Sequence, residues 1–202
     1  GSDYGIEVGE GALVDIEDST IKDIDGFGLY AAGGLETSIT LSNVKALGNA
    51  AAGLEFWGVS ASLSDVSVLY TRPVDLGMPV WGDGIFIGDG AMVVGIRVLS
   101  SHNHSSGIYV NGATTVADFT DVIVTDTAPE AASLRWGNGV YIMRGAEARL
   151  ERAAISHNHH IGVAVDGSQT KLSMIQGLVV HTAPEELSGH YGVGVWASGG
   201  AW

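Results

Sequence analysis

The sequence predicts an all-β fold, a right-handed parallel β-helix (solenoid) of about seven to eight coils, and three observations carry that prediction. A glycine followed by apolar–any–apolar recurs along almost the whole chain. Short and long intervals between its copies alternate, so that two coils make a larger repeat of about 55 residues. The segments between are short, period-two runs broken by turns, with no amphipathic helix long enough to cross over a sheet.

The motif reads Gly5-Ile-Glu-Val8, Gly28-Leu-Tyr-Ala31, Gly53-Leu-Glu-Phe56, Gly84-Ile-Phe-Ile87, Gly107-Ile-Tyr-Val110, Gly139-Val-Tyr-Ile142, Gly162-Val-Ala-Val165 and Gly194-Val-Trp-Ala197. Successive glycines are 23, 25, 31, 23, 32, 23 and 32 residues apart. Residues 28–83, 84–138 and 139–193 are therefore the double repeats of a single domain spanning 3–202, with Gly1-Ser2 reading as a tag scar. The last two units share Ser101-His-Asn-His104 with Ser156-His-Asn-His159, and Thr127-Ala-Pro-Glu130 with Thr182-Ala-Pro-Glu185. Short strands of this kind bury their apolar sides only by stacking, coil on coil, at about 4.8 Å. The glycine before each strand suits a corner where a side chain would collide or where φ must be positive.

With these glycine–apolar repeats the chain resembles the pectin-lyase-like right-handed parallel β-helix superfamily over nearly its whole length. The resemblance is architectural. It implies an exported or cell-surface protein of bacterial type, an extracellular setting, and work on or binding to carbohydrate. It supplies no activity by itself.

Composition narrows the partners. Nine Lys and Arg against 23 Asp and Glu give a net charge of -14, which repels nucleic acid and anionic lipid. No apolar run reaches the roughly 18 residues of a membrane span, so no membrane insertion is expected. Cysteine is absent, which removes disulfides, thiol nucleophiles and thiolate metal sites.

Aligned coils turn sequence positions into spatial rows. The first residue after each glycine gives an inward row: Ile6, Leu29, Leu54, Ile85, Ile108, Val140, Val163 and Val195. A second inward row reads Ile16, Leu41, Leu63, Phe119, Leu150 and Met174, with a glycine or valine in the fourth coil. Asn49, Thr71, Asn103, Thr127, Asn158 and Thr182 form an alternating polar ladder. Asp65, Arg97, Asp121 and Arg152 alternate in sign on an outward row, as a cross-strand charge ladder. Thr127-Ala-Pro-Glu130 and Thr182-Ala-Pro-Glu185 fit capping boxes, so each is expected to open a short helical loop. Trp81, Trp136 and Tyr191, each three residues before an anchor glycine, are expected to pack those loops back.

Two rows are candidates for function. The outward middle position of the glycine motif reads Glu7, Tyr30, Glu55, Phe86, Tyr109, Tyr141, Ala164 and Trp196. Its aromatics, Tyr30, Phe86, Tyr109, Tyr141 and Trp196, could stack on sugar rings or anchor a protein. A polar row at a turn reads Asp23, Gly48, Tyr70, His102, Asp126, His157 and His181. There Asp126 between His102 and His157, with His181 beyond, could bind a divalent metal or move protons, and His104, His159 and His160 add nitrogens. Otherwise no cofactor is expected.

The enzymes of the resembling superfamily set a test. Asp-Pro-His does not occur, Asp23-Ile-Asp25-Gly26 lacks the other ligands of a calcium loop, and Arg144 and Arg149 have no evident paired acid. The expected function is that of a rigid scaffold or adhesin binding glycan or protein through the aromatic row. The alternative is a polysaccharide lyase, epimerase or hydrolase. Neither chain end reads as a cap, so end-to-end self-association is also expected.

Overall fold

The computed structural model describes residues 4–74, 82–130, 136–184, 189 and 192–202. Among these residues there is no helix, and every strand pairing is parallel. Eight strands, Tyr4–Val8, Phe27–Ala32, Ala52–Trp57, Asp83–Gly88, Ser106–Asn111, Asn138–Met143, Ile161–Asp166 and Val193–Ser198, pair in that order to form one sheet. The other sheet has eleven strands. Its longest members, Ser60–Leu69, Met92–Ser101 and Val116–Thr125, lie side by side at its centre.

The register follows the glycine motif. Leu29 pairs with Ile6 and with Leu54, Ile108 with Ile85 and with Val140, and Val163 with Val195. The first and third residues after each glycine face the core; Leu29, Leu54, Phe56, Ile85, Ile87, Ile108 and Val140 are fully buried. In the second inward row the unsettled position is Gly95, which pairs with Leu63 and Phe119. A side chain there would meet the Phe119 ring at 2.4 Å, so one large residue fills the space of two.

Collision, not backbone conformation, requires the anchor glycines. None from Gly28 to Gly162 has a positive φ. A Cβ on Gly84 would lie 2.5 Å from the carbonyl oxygen of Gly107 and 2.5 Å from Asn103 Nδ2. On Gly107 it would lie 2.3 Å from Val124 Cγ1 and 2.8 Å from the carbonyl oxygen of Gly139. The anchor glycines from Gly28 to Gly162 thus let the next repeat's backbone close in, and give the polar ladder room beneath them.

That ladder lies inside. Asn49, Thr71, Asn103, Thr127 and Asn158 are buried. The Asn103 carbonyl oxygen accepts the Thr71 N–H at 2.9 Å, and its amide donates to Val68 O and Ser100 Oγ. Asn158 likewise accepts the Thr127 N–H at 3.0 Å and donates to Val124 O. Side chains here satisfy backbone groups that the corner leaves unpaired.

This pairing excludes the expected capping box at Thr127. The Thr127 N–H, which the Glu130 side chain would cap, is taken by Asn158 Oδ1, and the Ala128 N–H goes to the Asn103 backbone carbonyl, while Ala128 bridges to His104. Residues 131–135, where the expected helical loop would run, lie outside the described residues. In the second copy Ala183 bridges to His159 in the same way, and Glu185 lies outside the described residues.

The charge ladder hydrogen-bonds as two bidentate pairs, linked by the attraction between Arg97 and Asp121. Arg97 grips Asp65 through Nε and Nη2, both at 2.6 Å, and Arg152 grips Asp121 at 2.7 and 3.0 Å. No hydrogen bond joins Arg97 to Asp121. Arg149 does have partners: Asp118 at 3.3 Å and Glu151 at 2.5 Å.

Candidate functional site

The outward aromatic row has the expected register, with Tyr30 opposite Glu7 and Glu55, Phe86 opposite Glu55 and Tyr109, and Tyr141 opposite Tyr109 and Ala164. Glu55, fully buried, splits it into two groups. Tyr30 belongs to a small cluster with Tyr4 and Phe27, at ring distances of 5.0 and 5.8 Å. Trp196 lies beyond Ala164, beside neither group.

The second group is larger and concave. Phe86 is buried and packs between Trp57, 4.6 Å away, and the edge of Tyr109, at 5.2 Å. Tyr109 and Tyr141 stack face to face at 5.3 Å and 9°. Trp136 continues the stack on Tyr141 at 6.2 Å and meets His160 edge-on at 5.8 Å. Trp136 adopts a φ of 68°, an unfavourable conformation for a bulky side chain. The Gly137 and Asn138 N–H groups, both donating to the Ser105 carbonyl at 2.9 Å, hold the backbone that presents it. Trp81 and Tyr191 lie outside the described residues.

Tyr109, Trp136 and Tyr141 wall a cleft of about 320 Å³, lined also by Asp83, Ser105, Ser106, Glu130, Asn138, Met143 and Arg144. The Tyr109 hydroxyl donates to Met143 Sδ at 3.0 Å, and burial pushes its pKa up to about 12. Asn138 is buried, with its Oδ1 2.8 Å from His160 Nδ1.

Two acids under this face are in unusual surroundings. Asp83 is 2% exposed and Glu55 4% exposed. Burial pushes the pKa of each to about 7; for Asp83, hydrogen bonds from Ser105 and Ser106 pull the other way, and for Glu55 the Trp57 indole N–H does, at 2.6 Å. Asp83 Oδ1 and Glu55 Oε2 have no hydrogen-bond partner. Buried acids able to exchange a proton near neutrality are common at working sites. Asp83 was missed in the sequence, although a signal existed. It is the sole carboxylate in the row just before the glycines, which otherwise reads Tyr4, Phe27, Ala52, Ser106, Asn138, Ile161 and Val193.

The histidine row is built differently. Asp23, Tyr70, His102, Asp126, His157 and His181 all have φ between 53° and 57°. Asn, Asp and His tolerate this left-handed conformation better than most residues, which accounts for much of the row's composition. The Asp126 N–H donates to the Ser156 carbonyl and the His102 N–H to the Thr125 carbonyl, so the stack is held by backbone. Side chains do not converge: His157 stacks on His181 at 4.9 Å, His102 on Tyr70 at 4.8 Å, and Asp126 accepts from the Thr125 hydroxyl. Neither hydrogen bond nor ion pair joins Asp126 to His102 or His157. Among the described residues no three His, Asp or Glu side chains come together as a metal would require. His104 Nδ1 donates to the Pro129 carbonyl at 2.9 Å, and with Asp23, Asp25, Tyr70, Arg72 and His102 it lines a second concavity, where Arg72 pairs with Asp25 at 3.4 Å.

No family model matches this chain, and no curated protein matches it in sequence.

Proposed function

We propose that the chain is a segment of a right-handed parallel β-helix from an exported or cell-surface protein of bacterial type, and that it binds a glycan in the cleft over Tyr109 and Tyr141. The observation that carries this reading is the continuous aromatic wall of stacked Tyr109, Tyr141 and Trp136 along a cleft that also offers hydrogen-bonding groups. A pyranose presents an apolar face of C–H groups and a rim of hydroxyls. The exposed Trp136 ring and the apolar edges of Tyr109 and Tyr141 match the first, and groups such as Asn138 and Ser106 the second. A protein partner fits less well, since stable protein interfaces cover about 800 Å² per partner while this cleft is at the small end of ligand sites.

The test is a glycan array followed by calorimetry on the hits, with wild type and Tyr141→Ala. Affinity is expected to fall at least about ten-fold in the variant, from loss of one stacking platform. Unchanged affinity would remove the aromatic wall from the binding site.

A second reading, a carbohydrate-active hydrolase, lyase or epimerase, is favoured by one observation: Asp83 and Glu55 are held near neutral pKa beside the same wall. Release of reducing ends or unsaturated sugars from a polysaccharide panel, lost in Asp83→Asn, would establish it. Intact polysaccharides throughout would sink it.

A further inference from the structure

The cleft is chemically polarised along the strands. Asp83, Ser106 and Asn138 lie at the beginnings of their strands, Tyr109 and Tyr141 in the middle, and Met143 and Arg144 at the far end. Arg144 is two strands away from Asp83 and six residues further along the strand direction. With about 3.3 Å per residue and 4.8 Å between strands, their Cα atoms are about 20 Å apart. The guanidinium is therefore not the counter-ion of Asp83.

Nothing else described supplies one. Among the described residues the hydrogen-bond partners of Asp83 are the Ser105 and Ser106 groups, its Oδ1 has none, and Glu55 is a second acid nearby. A buried carboxylate without a cation is costly, and a cation brought by a ligand would relieve that cost. The Trp136 ring, 41% exposed at the same cleft, attracts cations through its π face. The chain's net charge of -14 also draws cationic ligands toward it.

We infer that the Asp83 end of the cleft is a subsite for a protonated amine, so that the glycan bound here carries an unacetylated amino sugar. The inference rests on the glycan reading and deepens it. The pyranose lies against Tyr109 and Tyr141, its ammonium is directed to the Asp83 end, and the chain continues toward Arg144. Acetylating the amine removes the charge and adds bulk where the carboxyl lies.

Three β-1,4-linked tetrasaccharides that differ only at C2 separate the possibilities: glucose with a hydroxyl, N-acetylglucosamine with an amide, and glucosamine with an ammonium. Calorimetry at about pH 7, where the Asp83 carboxyl is already partly ionised and an ammonium would draw out the rest of its charge, reads the affinities at about 0.15 M salt, which screens long-range attraction to the acidic surface. The glucosamine tetramer is expected to bind at least about ten-fold tighter than the other two. Asp83→Asn, nearly isosteric and checked for folding by circular dichroism, is expected to erase that preference. Asp15→Asn, which removes an exposed charge elsewhere, is expected to keep it. Equal affinities in wild type, or a preference that survives Asp83→Asn, would overturn the amine subsite and leave the sugar platform standing. If none of the three binds and a broad neutral-sugar array is also blank, the glycan reading falls with it.

Discussion

The outward aromatic row and the histidine row are made by one rule, a side chain per repeat at strand spacing, yet they differ in what the backbone does beneath them. Tyr109 and Tyr141 stand on extended strands, and Trp136 is brought over them by a segment just before its own strand. The row turns concave and encloses Asp83. His102, Asp126, His157 and His181 stand on left-handed turns, where neighbouring rings stack in pairs and the three histidines stay exposed, His102 beside only a shallow concavity. Alignment alone makes a ladder. A ladder encloses a site when other chain segments close over it.

The largest effect that tests this contrast concerns the buried acids. Asp83 and Glu55 hold their protons more tightly folded than unfolded, since their pKa values rise from 3.8 and 4.5 to about 7. Their contribution is therefore undiminished below the unfolded pKa and is lost as pH rises through the folded one. Stability from these groups falls between about pH 4 and 7 and stays low above. Asp83→Asn is expected to be more stable than wild type at about pH 8 by on the order of 3 kcal/mol, with the gap closing toward pH 4, in urea denaturation. A difference independent of pH would mean that the carboxyl is solvated and the aromatic face open.

Two neighbouring residues give the next test, because one step along the chain passes from the inner ladder to the outer corner. Asn158→Ala leaves the Thr127 N–H without its acceptor in the core, and a loss of about 2 kcal/mol is expected in the same assay. His157→Asn, at a φ of 54° that Asn tolerates, is expected to change stability by less than about 0.5 kcal/mol. His157→Val, β-branched at the same φ, is expected to cost about 1 kcal/mol or more. A large loss in His157→Asn would give that side chain a role beyond filling a turn.

Much of this was readable beforehand. The glycine spacing located every strand of the eight-stranded sheet, and the alternation after each glycine sorted inward Leu29 and Ile108 from outward Tyr30 and Tyr109. The Asn–Thr ladder was legible too, because a polar residue recurring at one place in an apolar repeat has few positions to occupy. The capping box at Thr127 was misread because it is a local pattern, and the Thr127 N–H it would use is claimed by Asn158, 31 positions away.

The sequence by itself determined which residues share a row, which side of a strand each faces, and where backbone must approach too closely for a side chain. These follow from a period of two along a strand and a repeat that places equivalent residues one strand apart. Only the tertiary structure decided that Asp83 and Glu55 lose their water, that the Phe86–Tyr109–Tyr141 row ends under Trp136, and that the histidines do not meet Asp126. Burial of a charge depends on what covers it. Here the covering residues come from other repeats, at distances along the chain that no local pattern records.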